Sequence, residues 1–152
     1  MNRRQKIMSV LISGLQSISL VNGYLTDIGQ YVSHWDVQVV KHDEKYDVNV
    51  KDRTNEHSLG HRETLNVKIV LICKTTDNYD SLNKMMLDIN KCVYGIQKTI
   101  GDAIGFSSLR ILPVTEGAEF LLDKENKKGF AEMEFNIEHR ISEKWDPDLT
   151  DY

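Results

Sequence analysis

The chain has 152 residues, of which 40% are hydrophobic and 28% charged, with only two prolines, a composition that indicates a globular domain and excludes a disordered chain. The 19 Lys and Arg residues are scattered among 23 Asp and Glu residues, which gives a formal net charge of −4 and leaves no basic stripe to neutralise nucleic-acid phosphates. Cys73 and Cys92 both lie within apolar patterns, which favours buried reduced thiols over a disulfide framework.

The first predicted element is a helix of about five turns, because apolar residues recur at three- and four-residue steps. They are Ile7, Val10, Leu11, Gly14, Leu15 and Ile18. Serines interrupt this series, so it is neither a signal peptide nor a membrane-spanning helix. Asn22-Gly23 is predicted to end the helix, and residues 24–35 show no sustained period, which indicates an ordered irregular segment packed on the core.

Two short strands are predicted next, the first around Val37 and Val39 and the second over residues 46–50. In the second, Tyr46, Val48 and Val50 form a dry face, and the residues between them form a wet face. Residues 51–61 are charged and poor in apolar residues, so we expect an exposed, mobile loop.

The third strand alternates Leu65, Val67, Ile69, Leu71 and Cys73 on one face, and Val70 and Ile72 make its second half apolar on both faces. A second long helix follows, with apolar residues at helical spacing between Leu82 and Ile100 and an N-cap at Asp80 or Ser81. Short strands are expected at residues 109–112 and 118–122. The last strand, residues 131–141, alternates apolar and polar side chains throughout.

This order of elements predicts an α+β fold, a two-layer sandwich in which two long helices pack on one face of a mostly antiparallel β-sheet. Residues 1–141 are expected to form one domain. Residues 142–152 have no periodicity and are expected to be a flexible C-terminal tail.

The sequence offers no recognisable catalytic, cofactor or metal site. His57 and His61 are four residues apart, but they lie in a glycine-containing polar stretch with no third ligand near, which favours surface histidines. Gly101 and Gly105 have the spacing of a phosphate loop without the Lys-Ser/Thr that should follow. Cys73 has no histidine or cationic neighbour in the sequence, so a core thiol is favoured over a nucleophile.

Two features favour an assembly. The doubly apolar half of the third strand needs cover on both faces, and Glu132, Glu134 and Glu138 share one face of the last strand, where they repel one another unless water or a basic partner compensates them. The alternative, a helix on one face and water around the glutamates, remains equally open.

The segment Asn22-Gly23-Tyr24-Leu25-Thr26-Asp27-Ile28-Gly29, followed by Val32 and Trp35, resembles the opening of the tail terminator proteins of long-tailed bacteriophages, also called tail completion or minor tail proteins. The likeness extends back through the first helix and forward in the order of elements, with Asp52-Arg53 closing a strand before the polar loop. It therefore covers most of the chain, and the Asn-Gly-Tyr to Trp segment is its specific part.

The resemblance implies a structural protein without cofactor or enzymatic activity, made in the bacterial cytoplasm and placed in the virion tail. It implies a hexameric ring of this chain on the tail tube, which ends tube polymerisation and offers a surface to the neck and head-completion proteins. We expect interface residues among Tyr24, Trp35, Asp52, Arg53, Val70 and Ile72. Glu132, Glu134 and Glu138 are expected to face the lumen, through which DNA passes without specific binding.

Two other classes stay open. Another phage head–tail connector or neck completion protein would share this size and fold, and the neighbouring genes would separate the two. A small α+β ligand-binding module would need a pocket with convergent polar groups, which no set of residues in the sequence obviously supplies.

Overall fold

The computed structural model describes residues 3–35, 45–52, 57–59, 62–74, 78–104, 110–113, 119–123 and 128–140. The helices in these ranges are α1 (Arg3–Gln16), a 3-10 helix (Ile28–Tyr31) and α2 (Asn78–Ile104). The strands are β1 (Val32–Trp35), β2 (Tyr46–Asp52), β3 (His57–Leu59), β4 (Arg62–Cys73), β5 (Arg110–Pro113), β6 (Glu119–Asp123) and β7 (Lys128–Arg140).

The strands form one mixed sheet in the order β1-β2-β4-β7-β5. The two long strands β4 and β7 pair antiparallel along their whole shared length, from Arg62 opposite Arg140 to Cys73 opposite Gly129. Short strands line their outer edges: β2 and β3 pair with β4, and β5 and β6 pair with β7, all antiparallel. Only β1, which runs parallel to β2, departs from this pattern among the described strands, so the expected mostly antiparallel sheet is confirmed.

Both helices cover one face of the sheet, which confirms the two-layer α+β sandwich. Period-two alternation on β4 turns Leu65, Val67, Ile69 and Leu71 towards the helices. The residues opposite them on β7 are equally buried, so the core is continuous across the central strands. Its buried members include Ile137, Phe135, Met133 and Ala131 of β7, Ile7, Leu11 and Leu15 of α1, and Leu82, Met85, Ile89 and Ile96 of α2.

The first helix is shorter than predicted. It ends at Gln16 rather than at Asn22-Gly23, because Ser17 turns back on the helix. The hydroxyl and the backbone N–H of Ser17 both donate to the carbonyl of Gly14, at 2.6 and 3.1 Å. This satisfies a carbonyl that a continuing helix would have used and tightens the last turn.

Residues 24–35 contain more regular structure than predicted, namely the 3-10 helix and β1. The strand is too short for period two to be visible in the sequence, and its hydrogen bonds go to β2, which lies farther along the chain. The strand expected around Val37 and Val39 lies outside the described residues.

The polar face of β2 was predicted to be solvent-exposed, and this prediction is wrong. Asp47 and Asn49 are only 2% and 1% exposed. Both lie on the outer face of the sheet, directly opposite Ile72 and Val70 of β4. The outer face of the sheet is therefore covered at this end of β2 and β4.

The expected loop of residues 51–61 also contains regular structure. Its first two residues belong to β2, and His57–Leu59 forms β3, which pairs with the start of β4. Helix α2 begins at Asn78, so Asp80 and Ser81 lie in its first turn and neither is the N-cap. Residues 60–61 and the expected tail of residues 142–152 lie outside the described part of the chain.

Candidate assembly surfaces

The segment between α1 and the 3-10 helix, residues 17–27, folds back on itself and is here called the strap. Gly23 donates its N–H to the carbonyl of Leu20 at 3.2 Å, and Tyr24 donates to the carbonyl of Ser19 at 3.1 Å. Gly23 has a φ of +87°, a conformation that glycine adopts without the steric cost that a Cβ would bring. The Asn-Gly pair therefore makes a tight turn inside the strap.

The strap is fixed to the end of α1. The carboxylate of Asp27 accepts a hydrogen bond from the backbone N–H of Leu20 at 2.8 Å, and Gly29 donates to the carbonyl of Ile18 at 3.0 Å. A Cβ on Gly29 would lie 2.3 Å from the carbonyl oxygen of Gln16, so only glycine allows this approach. Asp27 thus ties the end of the strap back to Leu20, and Gly29 packs against the last residue of α1.

A buried carboxylate on α2 holds the middle of the strap. Asp88 is 2% exposed. One of its oxygens accepts a hydrogen bond from the backbone N–H of Leu25 at 2.9 Å, and the other accepts one from the hydroxyl of Thr26 at 2.5 Å. Two donors compensate the loss of hydration that burial imposes on the carboxylate, so Asp88 anchors the strap on the helix.

Tyr24, Lys91 and Cys92 complete this contact. The Lys91 ammonium donates to the carbonyl of Gly23 at 3.0 Å and lies 4.9 Å from the centre of the Tyr24 ring, within cation–π range. Burial and the neighbouring Cys92 and Asp88 raise the pKa of the Tyr24 hydroxyl.

The thiol of Cys92 is held in its protonated form. Burial, the largest cause, and the Asp88 carboxylate raise the pKa of the Cys92 thiol, while a hydrogen bond with Tyr24 acts in the opposite direction. A nucleophilic cysteine needs a lowered pKa. The cluster is therefore suited to holding the strap rather than to activating a nucleophile.

The residues that carry the resemblance to tail terminators thus have structural roles in this chain. Gly23 turns the strap, and Leu25 and Thr26 bind Asp88. Asp27 ties the strap back on itself through Leu20, and Gly29 packs against the end of α1. Tyr24, expected at an interface, is half-buried and packed against the core, so only part of its ring faces solvent.

The strap and α2 expose large apolar side chains on the same side of the molecule, here called the strap–α2 face. On the strap, Leu20, Val21 and Leu25 are 57%, 95% and 54% exposed. On α2, Leu87 and Tyr94 are 58% and 72% exposed. The bonds from Asp88 and Lys91 hold the strap against α2, so both groups of exposed side chains belong to segments that pack on each other, and exposed apolar patches mark interaction surfaces.

The outer face of the sheet carries the acidic row of β7, and one member of this row, Glu132, is paired with a lysine. The Lys68 ammonium lies 2.6 Å from a carboxylate oxygen of Glu132 and stands directly opposite Glu134 in the β4–β7 register. The amide of Asn66 donates to Glu134 at 2.9 Å. Glu138 stands opposite Arg110 of β5. All three glutamates are half-buried, so the expected lumen-facing surface has its charge partly compensated within the subunit.

Val70 and Ile72, expected at an interface, both point to the outer face of β4. Val70 is half-buried, whereas Ile72 is fully buried between Asp47 of β2 and Phe130 of β7 in register. Part of the cover that the doubly apolar strand needs is thus supplied within the subunit, and Ile72 offers no exposed surface in this state.

The remaining expected interface residues lie at the β1 edge of the sheet. Asp52, at the end of β2, lies 3.0 Å from the Nε2 atom of His34 on β1, and Trp35 ends β1 opposite Lys51. Arg53 lies outside the described residues. An edge strand presents backbone groups that another chain can pair with, so the edge is a second candidate surface.

Asp88, Leu87 and Tyr94 were not predicted as functional residues from the sequence. The role of Asp88 could have been suspected, because this carboxylate lies beside Ile89 on the apolar stripe of α2, where an ionised group needs hydrogen-bond partners. The exposure of Leu87 and Tyr94 could also have been suspected, since they are large apolar residues that lie seven positions apart and off that stripe. The segment that donates hydrogen bonds to Asp88 is determined by the tertiary fold, and no local sequence pattern identifies it.

Other expected features have simple places in the fold. Cys73 is buried at the end of β4, and His57 belongs to β3. Within the described ranges, no three His, Cys, Asp or Glu side chains are grouped to hold a metal ion, and neither long helix combines the length and apolarity that a membrane crossing demands.

In comparisons with protein-family models and with curated proteins, the chain matched none.

Proposed function

We propose that this chain is a structural protein of a long-tailed bacteriophage that caps the tail tube. It assembles there as a homo-hexameric ring, stops tube polymerisation and offers the attachment surface for the neck and head-completion proteins. The observation that carries the proposal is the resemblance of residues 22–29 to the opening of tail terminators. In this chain those residues form the second half of the strap and the start of the 3-10 helix, and the strap is held on α2 beside exposed apolar side chains.

The architecture supports a ring of identical subunits. A closed ring with six-fold rotation uses head-to-tail contacts, in which two different surfaces of the subunit meet. The sheet has two different edges, β1 on one side and β5 with β6 on the other. Trp35 at the end of β1 and Asp52 at the end of β2, two of the expected interface residues, lie at the first edge.

The acidic row of β7 is proposed to face the lumen, where negative charge keeps DNA from adhering. The test should remove charge without removing hydrogen-bond acceptors. Replacing Glu132, Glu134 and Glu138 by glutamine does this, since the amide oxygen of glutamine can still accept the bond from Asn66. Lysine substitutions would instead place like charges beside Lys68 and disturb the fold.

Particles that carry the three glutamine substitutions should eject DNA more slowly than wild type, and ejection should regain its speed as salt screens the contact with DNA. Asp80→Asn removes an acidic charge from the helix layer, where Asp80 is exposed, and serves as the control. Normal ejection by correctly assembled triple-variant particles would contradict the lumen assignment.

The ring itself is tested by measuring the mass of the purified full chain by light scattering behind size exclusion, with and without tail tubes of the same phage. The expected results are a hexamer, or a monomer that becomes a hexamer on tube ends. Trp35→Ala should weaken this assembly, and Ser9→Ala, at an exposed position of α1, should not. Binding to heads rather than to tubes would favour a neck protein, and a monomer that ignores both would refute the proposal.

A further inference from the structure

We draw no further inference here: the strongest candidate, the surface patch of exposed apolar side chains on the strap–α2 face, carries nothing because nothing in the described part of the chain shows what covers it.

Discussion

Replacing Gly29 by alanine tests how tightly the strap is fixed to the end of α1. Gly29 does not have a positive φ, so its backbone conformation is open to alanine and the effect is purely steric. The added Cβ would lie 2.3 Å from the carbonyl oxygen of Gln16 and 2.7 Å from that of Ile18. Both obstacles are backbone atoms, which cannot rotate away as the end of a side chain can.

The expected loss follows from two effects. Overpacking a close contact costs about 1–3 kcal/mol, and moving the segment away weakens the hydrogen bond from Gly29 to Ile18, which contributes about 1 kcal/mol. The free energy of unfolding should therefore fall by about 2–4 kcal/mol, a large part of the roughly 5–15 kcal/mol of a typical domain. The melting temperature should fall by roughly 4–16 °C for a chain of this size.

Urea unfolding followed by circular dichroism measures this loss, and Gly95→Ala is the matched control. Gly95 is exposed, a Cβ there would have no atom within 4 Å among the described residues, and the residue lies inside α2. Alanine should stabilise that helix by about 0.5–1 kcal/mol. A free energy of unfolding of Gly29→Ala within about 0.5 kcal/mol of the wild-type value would refute the close contact between Gly29 and the end of α1.

Three other predictions concern single side chains. Asp88→Asn should lower the free energy of unfolding by about 1–3 kcal/mol, because an amide cannot accept both strap bonds, and should speed hydrogen exchange at the Leu25 N–H; unchanged exchange there would contradict the anchor. The raised pKa of Cys92 means that above its ordinary value of 9.0 the unfolded chain loses a proton that the folded chain keeps, so stability falls as pH rises. The stability of Cys92→Val should therefore fall less steeply as the pH rises above about 9, and identical slopes would disprove the assignment. Lys68→Met should cost about 0.5–1 kcal/mol at low salt through loss of the pair with Glu132, and a loss that persists undiminished in about 1 M salt would show that the pair is not its cause.

The sequence predicted the elements whose burial pattern is long and regular. On β4 and β7, apolar and polar residues alternate over most of the strand, so period two identifies both the strand and its inner face. Helix α2 was predicted because its apolar stripe repeats from Leu82 onward over several turns. These elements form the centre of the fold, and the α+β class and the two-layer arrangement follow from them.

Elements that depend on distant partners were not predictable in this way. Strand β1 has four residues and is defined by its pairing with β2. Asp47 and Asn49 were predicted to face solvent, because polar residues on one face of a strand usually do. Their burial depends on what covers the outer face of the sheet. The role of Asp88 depends on two residues of the strap that lie more than 60 positions away.

The expected interface residues divide in the same way. Trp35 was named as an apolar residue of the segment that resembles tail terminators, and Asp52 from its place at the end of a strand, and both lie at the β1 edge. Ile72 was named as surplus apolar surface, but it is buried within the subunit itself. An apolar side chain on the second face of a strand therefore indicates that cover is needed, and it does not indicate whether the same chain or a partner provides it.

The central claim is that this chain stops the growth of a tail tube, and the length distribution of tubes grown in its presence tests that claim most directly. Purified tube protein of the same phage is polymerised with increasing amounts of the full chain, and tube lengths are measured by electron microscopy. If the proposal is right, the tubes become progressively shorter, each with a ring of density at one end, and an equal amount of Trp35→Ala protein, whose ring assembly should be weakened, shortens them less. Tubes of unchanged length at saturating amounts of folded chain would contradict it.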